Sequence, residues 1–168
     1  REVIAAGVTR FRFTTSRIRS VGFSATPYLV DDVLVDSGFT HVRPLVMRTL
    51  ENRTIRAICC THGHEDHTGN AGPLAERHGC PVYLYRARHW LDEGVGEMPL
   101  YRRFYWGPPA PMEPTEIPSE ITTSSRRLRA IPTPGHSQTH VALYDPDSGV
   151  VFTGDLFVAP GAAAVMRH

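Results

Sequence analysis

The ten residues Thr61 to Asn70, THGHEDHTGN, place three histidines, a glutamate and an aspartate within six consecutive positions. The chemistry these side chains share is metal binding. If His62 and His64 lie on extended chain, the two-residue period points both imidazoles to one side, where together they can hold one cation. Asp66 and His67, where the chain turns toward a helix, offer a hard carboxylate and a borderline nitrogen to a second cation a few ångström away. Neither ion is satisfied by this segment alone, so a further histidine and a bridging carboxylate are required elsewhere. Two later loops carry them. TPGHSQTH sets His136 in a proline-glycine turn that leaves a strand, and FTGD sets Asp155 at a strand end, with Gly154 permitting close backbone approach. Glu65, between two ligands on extended chain, is expected to face solvent. The bland alternative, a polar loop with capping contacts, does not account for His136 and Asp155 following in that order.

The chemistry implied is metal-assisted hydrolysis. Even one zinc lowers the pKa of bound water to about 7, and a metal-bound hydroxide attacks an electrophilic carbonyl or phosphorus without a side-chain nucleophile. Asp66 can orient that hydroxide as well as bind metal. Asp36 and His140 are candidates to fix imidazole orientation from behind; Asp36 equally suits a plain turn and His140 a bond to a carbonyl. Cys59 and Cys60 read as packing residues of a buried strand. His41, His78, His89 and His168 carry no functional expectation.

The elements that must position these groups can be read from pattern. PYLVDDVLVDSG, Pro27 to Gly38, reads as a hairpin turning at two aspartates. His41 to Asn52 fits an amphipathic helix opened near Pro44, and Ile55 to Cys60 a short buried strand whose C-terminal end delivers the histidine motif. GNAGPLAERHG reads as a helix closed by Gly79, and Pro81 to Tyr85 as the next strand, an α/β order with functional loops at strand C-termini. Residues 94–118 are rich in proline, which rules out long regular elements, and read as a lid or excursion over the site. Within them YRRFYW interleaves aromatics with arginines. Arg102, Arg103 and Tyr105 are candidates to hold substrate; in the alternative reading, the aromatics cover the core and the arginines face water. Arg126 to Thr133, His140 to Asp145 and Gly149 to Asp155 are three strand-like runs forming a meander.

With 168 residues, 41% of them hydrophobic, the chain suits one domain, residues 1–168, with a core of its own. A net charge of +1 disfavours nucleic acid without excluding it, and tilts the expected partner toward a small molecule. No apolar run approaches the roughly 20 residues of a membrane span. Three cysteines without CxxC spacing fit neither a disulfide framework nor a zinc knuckle, and point to a reducing, cytoplasmic home.

The order HxHxDH, a histidine in a PGH turn and an aspartate in a TGD turn resembles the metallo-β-lactamase-fold hydrolases, particularly the branch of glyoxalase II and related thioesterases and nucleases. The match spans Pro27 to Leu156, and the opening hairpin is similar as well. The resemblance implies an α/β (α+β) four-layer αβ/βα sandwich with metals at one edge of two sheets. Carried over, His62, His64 and His136 hold the first ion, Asp66 and His67 the second, and Asp155 bridges both. Two zinc ions are implied, with iron and manganese compatible with the same donors. The family's last histidine and its C-terminal strands and helix have no counterpart in the thirteen residues after Asp155, so a C-terminally truncated domain is expected, with exposed apolar surface that favours a homo-oligomer. The implied activity is hydrolysis of an ester, thioester or related small molecule. Three alternatives stand beside it: a mononuclear-iron sulfur dioxygenase of the same fold, a metal-dependent nuclease or phosphodiesterase, and a non-catalytic metal-binding fragment.

Overall fold

Alternation along the central strands decides the layers. The computed structural model describes residues 1–93, 98–159 and 162–163. His168 and the start of the expected lid, residues 94–97, lie outside them. The first half of the chain gives β1 (Glu2–Ala5), β2 (Val8–Arg10), α1 (Ser16–Ser20), β3 (Tyr28–Val30), β4 (Val33–Val35), α2 (Arg43–Leu50), β5 (Ala57–Cys59), α3 (Glu65–Thr68), α4 (Ala71–His78) and β6 (Val82–Leu84). After α5 (Leu100–Tyr105), β7 (Thr115–Glu116) completes a seven-stranded sheet ordered β1 to β7 as in the sequence. Its first four strands are antiparallel neighbours, whereas β4 to β7 run parallel and are joined by helical crossovers. A second, antiparallel sheet is the expected meander, with β8 (Glu120–Thr122), β9 (Arg127–Pro132), β10 (Val141–Asp145) and β11 (Val150–Phe152) ordered β11-β10-β9-β8. β12 (Phe157–Ala159) and β13 (Ala162–Ala163) form a small ribbon.

The period of two sorts each strand's side chains between two cores. Val33, Val35, Ala57 and Cys59 face the second sheet, where they meet Leu128, Val141, Leu143 and Phe152. Leu34 and Ile58, one residue out of phase, pack with Val46 and Leu50 of α2 and Leu74 of α4. Full burial of each such side chain contributes about 1.5–3 kcal/mol. The outcome is a helix layer, a sheet and a second sheet. Among the described residues no helix covers the outer side of that second sheet, where Ile131 and Val151 stand 44% and 46% exposed.

Several local expectations meet their physical reasons. α2 opens with a proline in its first turn, and α4 stops where Gly79 takes the left-handed conformation at φ 61°. The hairpin turns at Asp31, also left-handed at φ 52°. Among its described residues, 98–118, the proline-rich segment holds the six residues of α5 and the two of β7. The N-terminal strands β1 and β2, the helix α1 and the strand β8 are elements that the pattern analysis did not assign; each is five residues or shorter.

The parallel register aims two strand ends at one spot. Val35 pairs with Cys59, and the Asp36 backbone N–H donates to the Cys59 carbonyl at 2.9 Å. Asp36 and the residues after Cys59 therefore leave the sheet side by side.

Candidate metal centre

Three chain segments converge beyond that edge. The β5 to α3 connection brings His62, His64, Asp66 and His67, the β9 to β10 turn brings His136, and the turn after β11 brings Asp155. His64 is extended at φ −67°, ψ 148° immediately before α3, whereas Thr61 to Gly63 form a bend, so the chain turn rather than a continuous extended stretch brings the two imidazoles together. His62 Nε2 and His136 Nε2 each lie 3.0 Å from His64 Nδ1. Beside them, His67 Nε2 stands 3.2 Å from Asp155 Oδ1 and 3.7 Å from Asp66 Oδ2, while His136 Nε2 stands 3.5 Å from Asp155 Oδ2. His62, His64 and His136 form one group with metal-ligand geometry, and His62, His67 and Asp155 another, each with its ligand atoms within 4.8 Å of one another.

Protonation makes this a donor set that fits cations. Burial, and after it the neighbouring His67, holds His62 well below the ordinary histidine range. Burial, with Arg102 and His136 adding, brings His64 down to about 3. Neutral imidazoles have one lone pair each, and the two 3.0 Å separations from His64 Nδ1 are close to the roughly 3.3 Å edge of a tetrahedron with 2.0–2.1 Å metal–nitrogen bonds. The second group is more acidic. Burial would raise Asp155, but the hydrogen bond from His67 and the charges of His67 and His136 bring it to about 2. His67 shows the reverse balance: burial opposes its charge, yet Asp36, Asp66 and Asp155 raise it well above the ordinary range, a proton that a cation can replace.

The groups behind the cluster set the tautomers. His67 Nδ1 donates to Asp36 Oδ2 at 2.8 Å, leaving Nε2 to face Asp66 and Asp155. Asp36 also accepts from the Thr61 backbone N–H at 2.7 Å and from the Thr61 hydroxyl, which lies 3.2 Å from His62 Nδ1. Asp36 thus sits directly behind the His67 imidazole. His140 is fully buried with its ring centroid 5.1 Å from that of His62; its Nδ1 lies 2.8 Å from the Thr133 hydroxyl. His140 Nε2 has no hydrogen-bond partner among the described residues and faces Gly154, where a Cβ would come within 2.9 Å of it. Gly154, at φ 49°, is thus required both by conformation and by space. Cys59 and Cys60 are buried packing residues whose thiols burial pushes far up, and neither belongs to the two groups with ligand atoms close together.

Glu65 corrects the sequence reading. It is 4% exposed rather than solvated, and both its carboxylate oxygens accept from Arg102 of α5, Nε at 2.5 Å to Oε1 and Nη2 to Oε2. Glu65 belongs to α3, not to extended chain, so the alternation argument that turned it outward does not apply. A cleft of about 490 Å³ opens over the cluster, lined by His64, Asp66, His67, His136 and Asp155 together with Tyr101, Arg102 and Trp106 from the proline-rich segment. Arg102 lines it; Arg103 and Tyr105 are not among its lining residues. One helical turn sets positions 102 and 106 on the same side of α5, leaving Arg103 exposed and Tyr105 packed against the helix-side core. Sequence reasoning missed Thr61 and Thr133, for which a hydroxyl next to a ligand histidine is too common a pattern to signal anything.

Comparison with known proteins agrees with this geometry. A family model described as the Metallo-beta-lactamase superfamily matches residues 22–167. The chain is 32% identical over 130 residues to the probable metallo-hydrolase YybB of Bacillus subtilis (strain 168), covering 76% of this chain and 58% of that protein. It is 26% identical over 133 residues to a hydroxyacylglutathione hydrolase of Legionella pneumophila (strain Corby), covering 78% and 44%. Among solved structures, the metallo-beta-lactamase family protein TTHA1429 from Thermus thermophilus superposes with a TM-score of 0.68 at 23% identity, over 98% of this chain and 66% of that one. TTHA1623 in a di-iron-bound form superposes with a TM-score of 0.66 at 30% identity, over 92% and 75%. The chain thus spans 58% and 44% of the lengths of these two curated relatives. With the match running through every segment that supplies the cluster, the chain belongs to the metallo-beta-lactamase superfamily.

Proposed function

We propose that this chain carries the metal-binding part of a hydrolase that cleaves an ester, a thioester or a related small molecule. The observation that supports it most is the meeting of three neutral imidazoles, with His62 Nε2 and His136 Nε2 each 3.0 Å from His64 Nδ1, beside the carboxylates of Asp66 and Asp155 that line an open cleft. His62, His64 and His136 would hold a first ion, and Asp66 and His67 a second, with Asp155 available to both. When bound, divalent ions supply Lewis acidity and lower the pKa of water toward neutrality.

The chain's own residues do the rest. Asp36 and Thr61 hold His67 and His62 in the tautomers that leave Nε2 free to bind. Asp66 accepts a hydrogen bond from the attacking water and aims it. Water adds to the acyl carbon, the bond from that carbon to sulfur or oxygen breaks, and the leaving thiolate or alkoxide takes up the proton, giving an acid and a thiol or alcohol. Hydroxyacylglutathione hydrolase among the relatives, and a net charge of +1, favour a small acyl substrate over nucleic acid. Zinc suits the donors; the di-iron form of TTHA1623 favours iron as a second reading of the same site. The three cysteines, all free, suit a cytoplasmic setting, and no described helix is long and apolar enough to cross a membrane.

Elemental analysis of the purified chain, with ester, thioester and phosphodiester hydrolysis measured in parallel, tests the proposal. Two metal atoms per chain with ester or thioester turnover, lost in His62→Ala and in Asp66→Ala, are expected. Turnover unchanged in both variants rejects the hydrolase reading. One iron with oxygen uptake supports the oxygenase instead, and metal without turnover a binding fragment.

A further inference from the structure

Aromatic side chains make up a large share of the cleft lining, beside the candidate metal-binding residues and Ser24, Thr26 and Thr153. Phe23, Tyr28, Tyr101, Trp106 and Phe157 supply that share, drawn from the loop after α1, from β3, from α5 and its end, and from β12. Phe23, Tyr101 and Phe157 are 59%, 61% and 55% exposed. Three large apolar side chains kept in water around one opening lose free energy that a ligand recovers by covering them, at roughly 25 cal/mol per Å² of apolar surface. Tyr28 stacks edge-on against buried Phe152, 5.0 Å between centroids, so this side of the wall is backed by the inter-sheet core.

Charge selects in the same direction. Arg102 is the one arginine or lysine among the described lining residues, and its guanidinium is committed to Glu65 through two parallel hydrogen bonds. Glu65 is 5% and Arg102 19% exposed at the side chain, so the pair is shielded from water and an incoming anion meets a neutralised cation.

We infer that the arm of the substrate lying beyond the metal ligands is uncharged and apolar, a short alkyl chain or an aryl ring, and that Glu65 enforces this by occupying Arg102. This rests on the acyl-hydrolase reading above. Glu65 acts through Arg102 and touches no reacting atom, so it is a specificity-setting residue and not a catalytic one. The aromatic wall supplies attraction; the Glu65–Arg102 pair removes the reward for a carboxylate.

Two chromogenic substrates separate the possibilities: the p-nitrothiophenyl esters of valeric acid and of succinic acid, of similar length but differing in the terminal carboxylate. In the metal-loaded chain the valerate is expected to have the higher kcat/KM by about tenfold. Glu65→Gln, with metal content checked as unchanged, is expected to move that ratio about tenfold toward the succinate. Phe23→Ser, at a position 59% exposed, is expected to raise KM for the valerate about fivefold and that for the succinate by less. Succinate preferred by the unaltered chain, or a Phe23→Ser variant with both KM values unmoved, overturns the inference while leaving the hydrolase reading intact. If neither ester turns over, the hydrolase reading fails, and calorimetric titration with the same two esters decides separately: tighter valerate binding upholds the apolar arm, and equal or reversed affinities reject it.

Discussion

His67 and Asp36 meet across 2.8 Å, the Nδ1 proton of the imidazole on Oδ2 of the carboxylate, and the two come from different strand ends of one parallel pair. Asp36 holds a left-handed conformation at φ 59° to make that bond. Asparagine tolerates this backbone better than alanine does, so Asp36→Asn isolates the lost charge from added strain. Its metal affinity at the His67 site is expected to fall 10–100-fold, as for other carboxylates behind ligand histidines. Competition with a chromophoric chelator reads the change. Affinity equal to that of the unaltered chain would show that Asp36 is only a turn residue.

Gly154 leads to the second prediction. Because a Cβ there would come within 2.7 Å of the Thr61 hydroxyl and 2.9 Å of His140 Nε2, Gly154→Ala cannot be accommodated by rotating one side chain. Strain at φ 49° and overpacking are each expected to cost about 1–3 kcal/mol. Asp155 follows directly, so metal content should fall as well. A variant of undiminished stability that still binds two ions would contradict the close approach.

Most of the candidate site is readable because its side chains come from short loops at strand ends, where residue order mirrors position in space. Spacing and a preceding strand singled out His62, His64, Asp66, His67, His136 and Asp155, which the fold brings side by side. Glu65 escapes pattern reading because a four-residue helix, α3, begins one position after His64, and no periodicity can mark so short an element. Its partner lies 37 positions away, across a segment whose prolines hide the six-residue α5. The split of β4 and β5 between two cores follows from alternation alone, but the β1–β2 hairpin is half exposed and carries too weak a pattern. Thr61 and Thr133 depend on three-dimensional neighbours and left no trace in composition.

Metal removal gives a third outcome. Binding to the folded chain alone stabilises it by about 2.7 kcal/mol when free metal exceeds Kd a hundredfold. For a chain of this size that is about 5–10 °C in Tm. Scanning calorimetry with zinc and with a chelator should show the shift, and His62→Ala should abolish it. A His62→Ala protein that keeps the full shift would move the dominant site elsewhere.

The last prediction concerns the opposite end of the sandwich, where Arg126 fastens the two sheets. It donates to Asp31 in the β3–β4 turn at 3.1 and 3.2 Å, to Asp145 at the end of β10 at 3.0 Å and to the Ala6 carbonyl at 2.9 Å. The side chains of Arg126, Asp31 and Asp145 are 11%, 9% and 0% exposed. Burial alone would raise both carboxyls, but hydrogen bonds to Asp31 from Ser125, Thr123 and Arg126, and to Asp145 from Ser148 and Arg126, hold both below the usual range. A depressed folded pKa adds stability above the unfolded value, near 3.8, and that stability is lost as pH falls through the folded pKa. The clamp's share of the stability should therefore hold from neutrality to about pH 4 and drop below it. It lies beneath a decline from about pH 6.5, common to the unaltered chain and Arg126→Met, as His62, His64, His136 and His140, kept neutral by burial, take up protons on unfolding. The difference in urea midpoint between the two proteins isolates the clamp. Arg126→Met leaves two buried carboxylates without their cation, and is expected to cost about 3 kcal/mol at pH 7 and to flatten the acid limb. The candidate metal-binding residues lie at the other ends of these strands, so metal stoichiometry of the folded variant should stay as it was. Acid limbs that run parallel in the two proteins would mean that the clamp is not what titrates; a loss of metal at full stability would mean that Arg126 positions Asp155 against His67 rather than merely joining the sheets.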